Sequence, residues 1–155
     1  MNAQYVNPFV EAVFELFSTM LQSKAARTGL GVSGGEQHPD EVMALIGFSG
    51  VVRGTVALAM PHNTCQGMVR RLLGEGVEAD PETVSDTIAE MVNIVAGAAK
   101  SKLSLQVKET LELSLPVVVH GDEFEVFSPS HAIWLEIPFS SDLGPLCMRL
   151  SFQNS

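Results

Sequence analysis

The sequence predicts an α/β (α+β) domain: an antiparallel-rich sheet of about five to six strands, with two long helices packed on one face and a pseudo-duplicated helix–strand–strand order. Three observations carry this. Two amphipathic helical patterns open at Asn7-Pro8 and Asp80-Pro81, 73 residues apart. Each leads into apolar runs of strand length, although the two halves share no residue-by-residue repeat. The chain has 155 residues, the size of one domain, so residues 1–155 are read as a single unit.

The elements follow in order. Asn7 is placed to cap the first helix and Pro8 suits its first position. Phe9, Val10, Val13, Phe14, Phe17, Met20 and Leu21 then recur at three- and four-residue steps, a wide apolar face. The glycine-rich stretch 29–40 reads as a loop. Residues 42–48 and 51–60, separated by Ser49-Gly50, read as a hairpin. Pro61-His62-Asn63-Thr64 opens a second helix lined by Cys65, Met68, Val69, Leu72 and Leu73, and Gly74 ends it. Asp80-Pro81-Glu82-Thr83 is the strongest helix start in the chain, with a cap, a proline and an acid in the first turn. That helix is expected to reach about Leu105. Strands follow at 111–119, 131–139 and 146–152, with a short piece at 124–127.

Composition excludes several function classes. Nine Lys and Arg against eighteen Asp and Glu give a formal charge of −9, the wrong sign for nucleic acid or an anionic lipid surface. Only 17% of residues are charged and 46% are hydrophobic, which excludes a disordered chain. Cys65 and Cys147 lack metal-ligand spacing and read as small, buried, reduced apolar residues of a cytoplasmic protein. The opening Met1-Asn2-Ala3-Gln4-Tyr5 lacks a basic segment followed by an apolar one, so no signal peptide is expected, and no run approaches membrane-spanning length.

The long helix has an unusual polar side. Val84, Ile88, Met91, Val92, Val95, Ala99 and Leu103 form its apolar face. Opposite them run Glu82, Asp86, Glu90, Asn93, Gly97 and Lys100. Glu90 and Asn93 are neighbours on that stripe. Around Asn93 stand Ala89 and Glu90 one turn before and Ala96 and Gly97 one turn after. Gly97 lowers helix propensity by about 1 kcal/mol relative to Ala, and Asn is also a weak interior residue. A merely solvated face would carry Lys, Glu or Gln instead. Routine solvation and close helix packing are the alternatives to a functional amide at this point.

In its wider context the segment SDTIAEMVNIVAGAAKSKL, residues 85–103, resembles the signature helix of the CheC/CheX/FliY family of chemotaxis response-regulator phosphatases. The E-x-x-N element is Glu90-Met91-Val92-Asn93. Asn7-Pro8-Phe9-Val10-Glu11-Ala12 resembles the family's first helix. Ile46-Gly47-Phe48-Ser49-Gly50 with Gly54-Thr55-Val56-Ala57-Leu58 resembles its first hairpin, and Ser114-Leu115-Pro116-Val117-Val118-Val119 with Gly121 resembles the strand after the long helix. The CheC branch usually carries two motifs. Here Glu11-Ala12-Val13-Phe14 has Phe where the second Asn is needed, a CheX-like arrangement.

The resemblance implies hydrolysis of the aspartyl phosphate on a CheY-like response regulator. Asn93 is then expected to orient the attacking water and Glu90 to pair with the regulator's lysine. Asp86, Ala89, Ala96, Gly97 and Lys100 are expected to touch the partner. No cofactor of the chain's own is implied; Mg²⁺ belongs to the regulator. A homodimer joined through the sheets is also implied. Other expectations are a non-catalytic receiver-binding module and a structural subunit related to flagellar switch proteins. Competing sites are unpersuasive. His38, His62, His120 and His131 have no ligand spacing, so no metal site is expected. The glycine-rich 29–35 segment lacks a P-loop lysine. Ser49 is followed by a strand and not a helix, so it is not a nucleophile elbow.

Overall fold

A computed structural model describes residues 3–33, 40–50, 52–77, 79–107, 111–124 and 134–153. Helix α1 spans Ala3–Glu15 and continues into a π-helical turn, Leu16–Met20. Two short strands follow, β1 (Ala25–Arg27) and β2 (Gly31–Ser33), then the hairpin β3 (Asp40–Ser49) and β4 (Arg53–Met60). Next come α2 (His62–Leu73), α3 (Pro81–Val107), β5 (Glu112–Leu113), β6 (Val117–Phe124), β7 (Trp134–Ser141) and β8 (Leu146–Gln153).

All strand pairs are antiparallel, and the sheet order is β1-β7-β8-β4-β3-β5. Strand β2 also pairs with β7, and β6 with β3. Among the described residues, eight strands therefore fill six positions: the three-residue β1 and β2 share one outer position beside β7, and the two-residue β5 and eight-residue β6 share the other beside β3. Exchanging β1/β2 with β5/β6, β3 with β7 and β4 with β8 reverses the sheet order onto itself. The duplication expected from the sequence is real at the level of topology. Its offset is not the 73 residues between Asn7 and Asp80, since the equivalent strands β4 and β8 start at Arg53 and Leu146.

One face of the sheet carries the main core. Val42, Ala44, Ile46 and Phe48 of β3 alternate inward, as strand geometry requires, with Val56 and Leu58 of β4, Ile137 of β7 and Met148 and Leu150 of β8. Phe9, Val13 and Phe17 of the first helical segment and Ile88, Met91, Val92, Val95, Ala99 and Leu103 of α3 cover them. Phe48 packs against Phe9 at 5.2 Å and Phe152 at 5.8 Å between ring centroids. Met43, Ala57 and Ala59 form a smaller cluster on the opposite face. Gly54 is required where β4 meets β8: a Cβ there would collide with the Ser151 carbonyl oxygen.

Several sequence expectations need correction. Helix α1 starts at Ala3, so Asn7 is not its cap and Pro8 lies inside it. Pro8 donates no backbone hydrogen bond, and the buried side chains of Val6, Phe9 and Val10 hold that turn on the core. Phe14 and Met20 are 37% and 41% exposed, which narrows the apolar face. The 29–40 stretch is not wholly loop, because it contributes β2 through pairing with β7. The expected 111–119 strand is split into β5 and β6, and Phe124 closes β6. Residues 125–127 and 131–133 lie outside the described residues. Helix α2 starts and stops as expected, with Gly74 at φ +103° donating to Arg70 O at 2.8 Å, but Leu73 is exposed. Of the two cysteines expected to be buried, Cys65 is buried and Cys147, on β8, is only half-buried.

Candidate functional site

Helix α3 is built to present one face outward. Asp80 caps it: the Thr83 N–H donates to Asp80 Oδ1 at 2.7 Å and the Val84 N–H to Asp80 O at 2.9 Å. The backbone and side-chain hydrogen bonds from Thr83 hold the Asp80 carboxyl below its ordinary pKa. Six of the seven residues assigned to the apolar side are buried, and Val84 is half-buried at the edge. With that side fixed on the sheet, 100° per residue turns Asn93 almost directly away from it.

Glu82, Asp86, Glu90 and Asn93 are exposed, and Gly97 and Lys100 are half-exposed. No side-chain hydrogen bond or ion pair engages Glu90 or Asn93 among the described residues. Ala89 is half-buried beside them. Ala96 does not belong to the outward patch. It is 1% exposed and packs in the core, because α3 is embedded deeply enough to bury the residue just off its apolar centre. The low ground around Asn93 is therefore formed by Ala89 and Gly97. A Cβ built on Gly97 meets nothing within 4 Å. Nothing in the chain's own packing requires glycine there.

The face is convex. Cavities of about 310, 400 and 420 Å³ lie elsewhere on the molecule, and none is lined by Glu90, Asn93 or their neighbours. An amide that projects from a ridge can act only by entering a recess in another molecule. Along the ridge the charge is polarised, with Glu82, Asp86 and Glu90 toward the N-terminal end and Lys100 toward the other.

Helix α1, the topological counterpart of α3, has no such site. Phe14 occupies the amide position and packs edge-on to Phe139 at 5.6 Å. Glu11 and Glu15 are drawn to Lys102 of α3 at 3.6 and 2.6 Å. The Glu15 hydrogen bond, helped by the charges of Glu15 and Glu11, outweighs desolvation and raises the Lys102 pKa. No group of three His, Cys, Asp or Glu among the described residues is arranged to hold a metal ion, and no described helix is long and apolar enough to cross a membrane.

Sheet order and paired helices define an α/β domain with topologically duplicated halves. The chain belongs to the CheX family, described as chemotaxis phosphatase CheX, whose family model matches residues 42–140. It is similar to the chemotaxis protein CheX of Desulfovibrio desulfuricans, with a TM-score of 0.88 and 21% identity over 96% of this chain and 99% of that one. A CheC-like superfamily protein from Shewanella sp. PV-4 gives a TM-score of 0.87 and 25% identity over 99% and 100% of the two chains. A chain from the CheX–CheY–BeF₃–Mg²⁺ complex of Borrelia burgdorferi gives 0.74 and 22% over 97% and 98%. Comparison with curated protein sequences finds no match.

Proposed function

We propose that this chain hydrolyses the aspartyl phosphate of a CheY-like response regulator, with Asn93 orienting the attacking water and Glu90 pairing with the regulator's lysine. The observation that carries this is the exposed Asn93 amide on the outward side of α3, without a side-chain partner among the described residues and flanked by Gly97 with open space above it. The Borrelia relative, a CheX in complex with CheY, BeF₃ and Mg²⁺, supports the class of partner.

The chemistry asks little of the helper. The regulator supplies the acyl phosphate, its Mg²⁺ and a lysine. Phosphoryl transfer through a loose transition state depends mainly on positioning and charge stabilisation. A carboxamide offers one acceptor oxygen and two donors, so Asn93 can hold a water in line with the scissile P–O bond without acting as a base. The water oxygen bonds to phosphorus as the bond to the aspartyl oxygen breaks. The carboxylate leaves with the bonding pair, and inorganic phosphate keeps the water's oxygen with one of its protons while the second proton moves to another phosphate oxygen or to solvent. Glu90, one turn earlier, fixes the register through an ion pair. Such a pair is worth more in a desolvated interface than the 0–1 kcal/mol typical of an exposed one. Asp86, Ala89, Gly97 and Lys100 form the surrounding contact.

The reading places the reaction in the cytoplasm and includes a homodimer joined through sheet edges, which sedimentation velocity checks. Mixing the protein with phosphorylated receiver domains and following phosphate release tests the activity. Accelerated release supports a phosphatase. Binding without acceleration supports a module that only senses the receiver's state.

A further inference from the structure

Beyond Asn93, on the same side of α3, stands Lys100. At 100° and 1.5 Å per residue it lies about 20° round the helix from Asn93 and about 10 Å further along the axis, so the two side chains share one line of the ridge. Lys100 is half-exposed, and no hydrogen bond or ion pair engages it among the described residues. Its neighbours three and four residues away are Ala96, Gly97, Leu103 and Ser104, none of them an acid, so the helix offers it no ion pair. The helix ends at Val107, and the pull of its C-terminal partial charge on a cation fades within the last turn, short of Lys100. Lys102 is the contrast: it crosses to α1 and is held by Glu15 at 2.6 Å and Glu11 at 3.6 Å. Lys102 serves the packing of the two helices; no described contact of the fold uses Lys100.

Shape alone leaves a docking helix two directions. Ala89, one turn before Asn93, and Gly97, one turn after, are both small, so a narrow recess admits the amide with α3 lying either way round. Charge tells the two apart. Glu82, Asp86 and Glu90 precede Asn93 on the ridge, and Lys100 follows it. With Glu90 against the receiver's lysine, the acids share that lysine's side and Lys100 lies away from it. The reversed direction sets Lys100 on the side of the lysine, and like charges brought together suppress a wrong complex.

Resting on the receiver-docking reading above, we propose that Lys100 determines the direction in which α3 lies on its partner, by pairing with a carboxylate on the receiver's surface about 10 Å from the phosphoryl pocket, on the side away from the lysine. It is a specificity-determining residue: a receiver without an acid there is a poor substrate.

The test is steady-state dephosphorylation of a phosphorylated receiver by wild type, Lys100→Glu, Lys100→Gln, Lys100→Arg and Lys24→Glu at low and high salt. Lys24 is exposed at the start of β1, the outermost position of the sheet beside β7, so its reversal carries the same change of net charge away from the ridge. Lys100→Glu is expected to raise KM roughly tenfold at low salt and less at high salt, Lys100→Gln to raise it less, and Lys100→Arg and Lys24→Glu to stay within about twofold of wild type. Circular dichroism checks that all four fold. Lys100→Glu is then assayed on receivers in which single surface acids near the pocket are replaced by lysine; one of these is expected to restore Lys100→Glu while impairing wild type. Equal KM in Lys100→Glu and wild type, equal losses in Lys100→Glu and Lys24→Glu, or rescue by none of the receivers overturns this inference and leaves the phosphatase reading standing. Failure of wild type to dephosphorylate any receiver overturns that reading, and this one with it.

Discussion

Replacing Gly97 separates what the fold needs from what the docking face needs. Glycine inside a helix is destabilising by roughly 0.5–1 kcal/mol relative to alanine. The added Cβ meets nothing within 4 Å, so no steric penalty opposes that gain. Gly97→Ala is expected to stabilise the protein by about 0.5–1 kcal/mol, and a chain of 155 residues converts this into a Tm rise of about 1–4 °C. Gly97→Leu keeps good helix propensity but stands taller beside Asn93. It is expected to leave Tm at or above wild type and to lower kcat/KM toward a phosphorylated receiver at least roughly tenfold, since misplacement of about 1 Å already costs about 10²-fold. Calorimetry and phosphate release on the same samples give both numbers. A drop in Tm for Gly97→Ala would show that the fold itself requires the glycine. Full activity in Gly97→Leu would show that nothing docks over it.

Other outcomes follow from the packing. Gly54→Ala drives a Cβ into the Ser151 carbonyl and within 2.9 Å of Phe48 Cζ, and is expected to lower stability by about 1–3 kcal/mol or more in urea melts. Ile88→Ala opens a cavity beneath α3 and is expected to cost about 2–5 kcal/mol. The Asp80 cap acts while its carboxyl is ionised. Because its folded pKa lies below the ordinary value, the stabilisation is present above the unfolded pKa and fades as pH falls through the folded one. Asp80→Ala is thus expected to lower Tm at neutral pH, with the difference from wild type vanishing in strong acid. Burial raises the Cys65 thiol to about 11, so below that pH it stays protonated and resists thiol reagents until the protein is unfolded.

Helix α3 was readable because its signals are local. Asp80 and Pro81 mark its start, and one apolar period runs unbroken from Val84 to Leu103. The Glu90–Asn93 ridge follows from that period alone. Ala96 was misplaced because small residues give no hydropathy signal at the margin of a buried face. At α1 the capping signature at Asn7-Pro8 misled, since tertiary contacts of Val6 and Phe9 carry the helix through the proline. Strands β1 and β2 have three residues each and exist through pairing with β7; no local pattern encodes them. His120 was set aside for lacking ligand spacing. Its partner Ser85 is 35 residues away, a relation that only the fold creates.

The central claim is most directly measured by single-turnover phosphate loss from a labelled phospho-receiver held at saturating concentrations of wild type and of Asn93→Ala. Loss of a positioned water is expected to lower the rate constant at saturation by roughly 10²-fold or more, to near the receiver's unaided rate, while binding of the receiver persists and Tm stays unchanged. An Asn93→Ala protein that turns over at the wild-type rate would show that this amide does not hold the water.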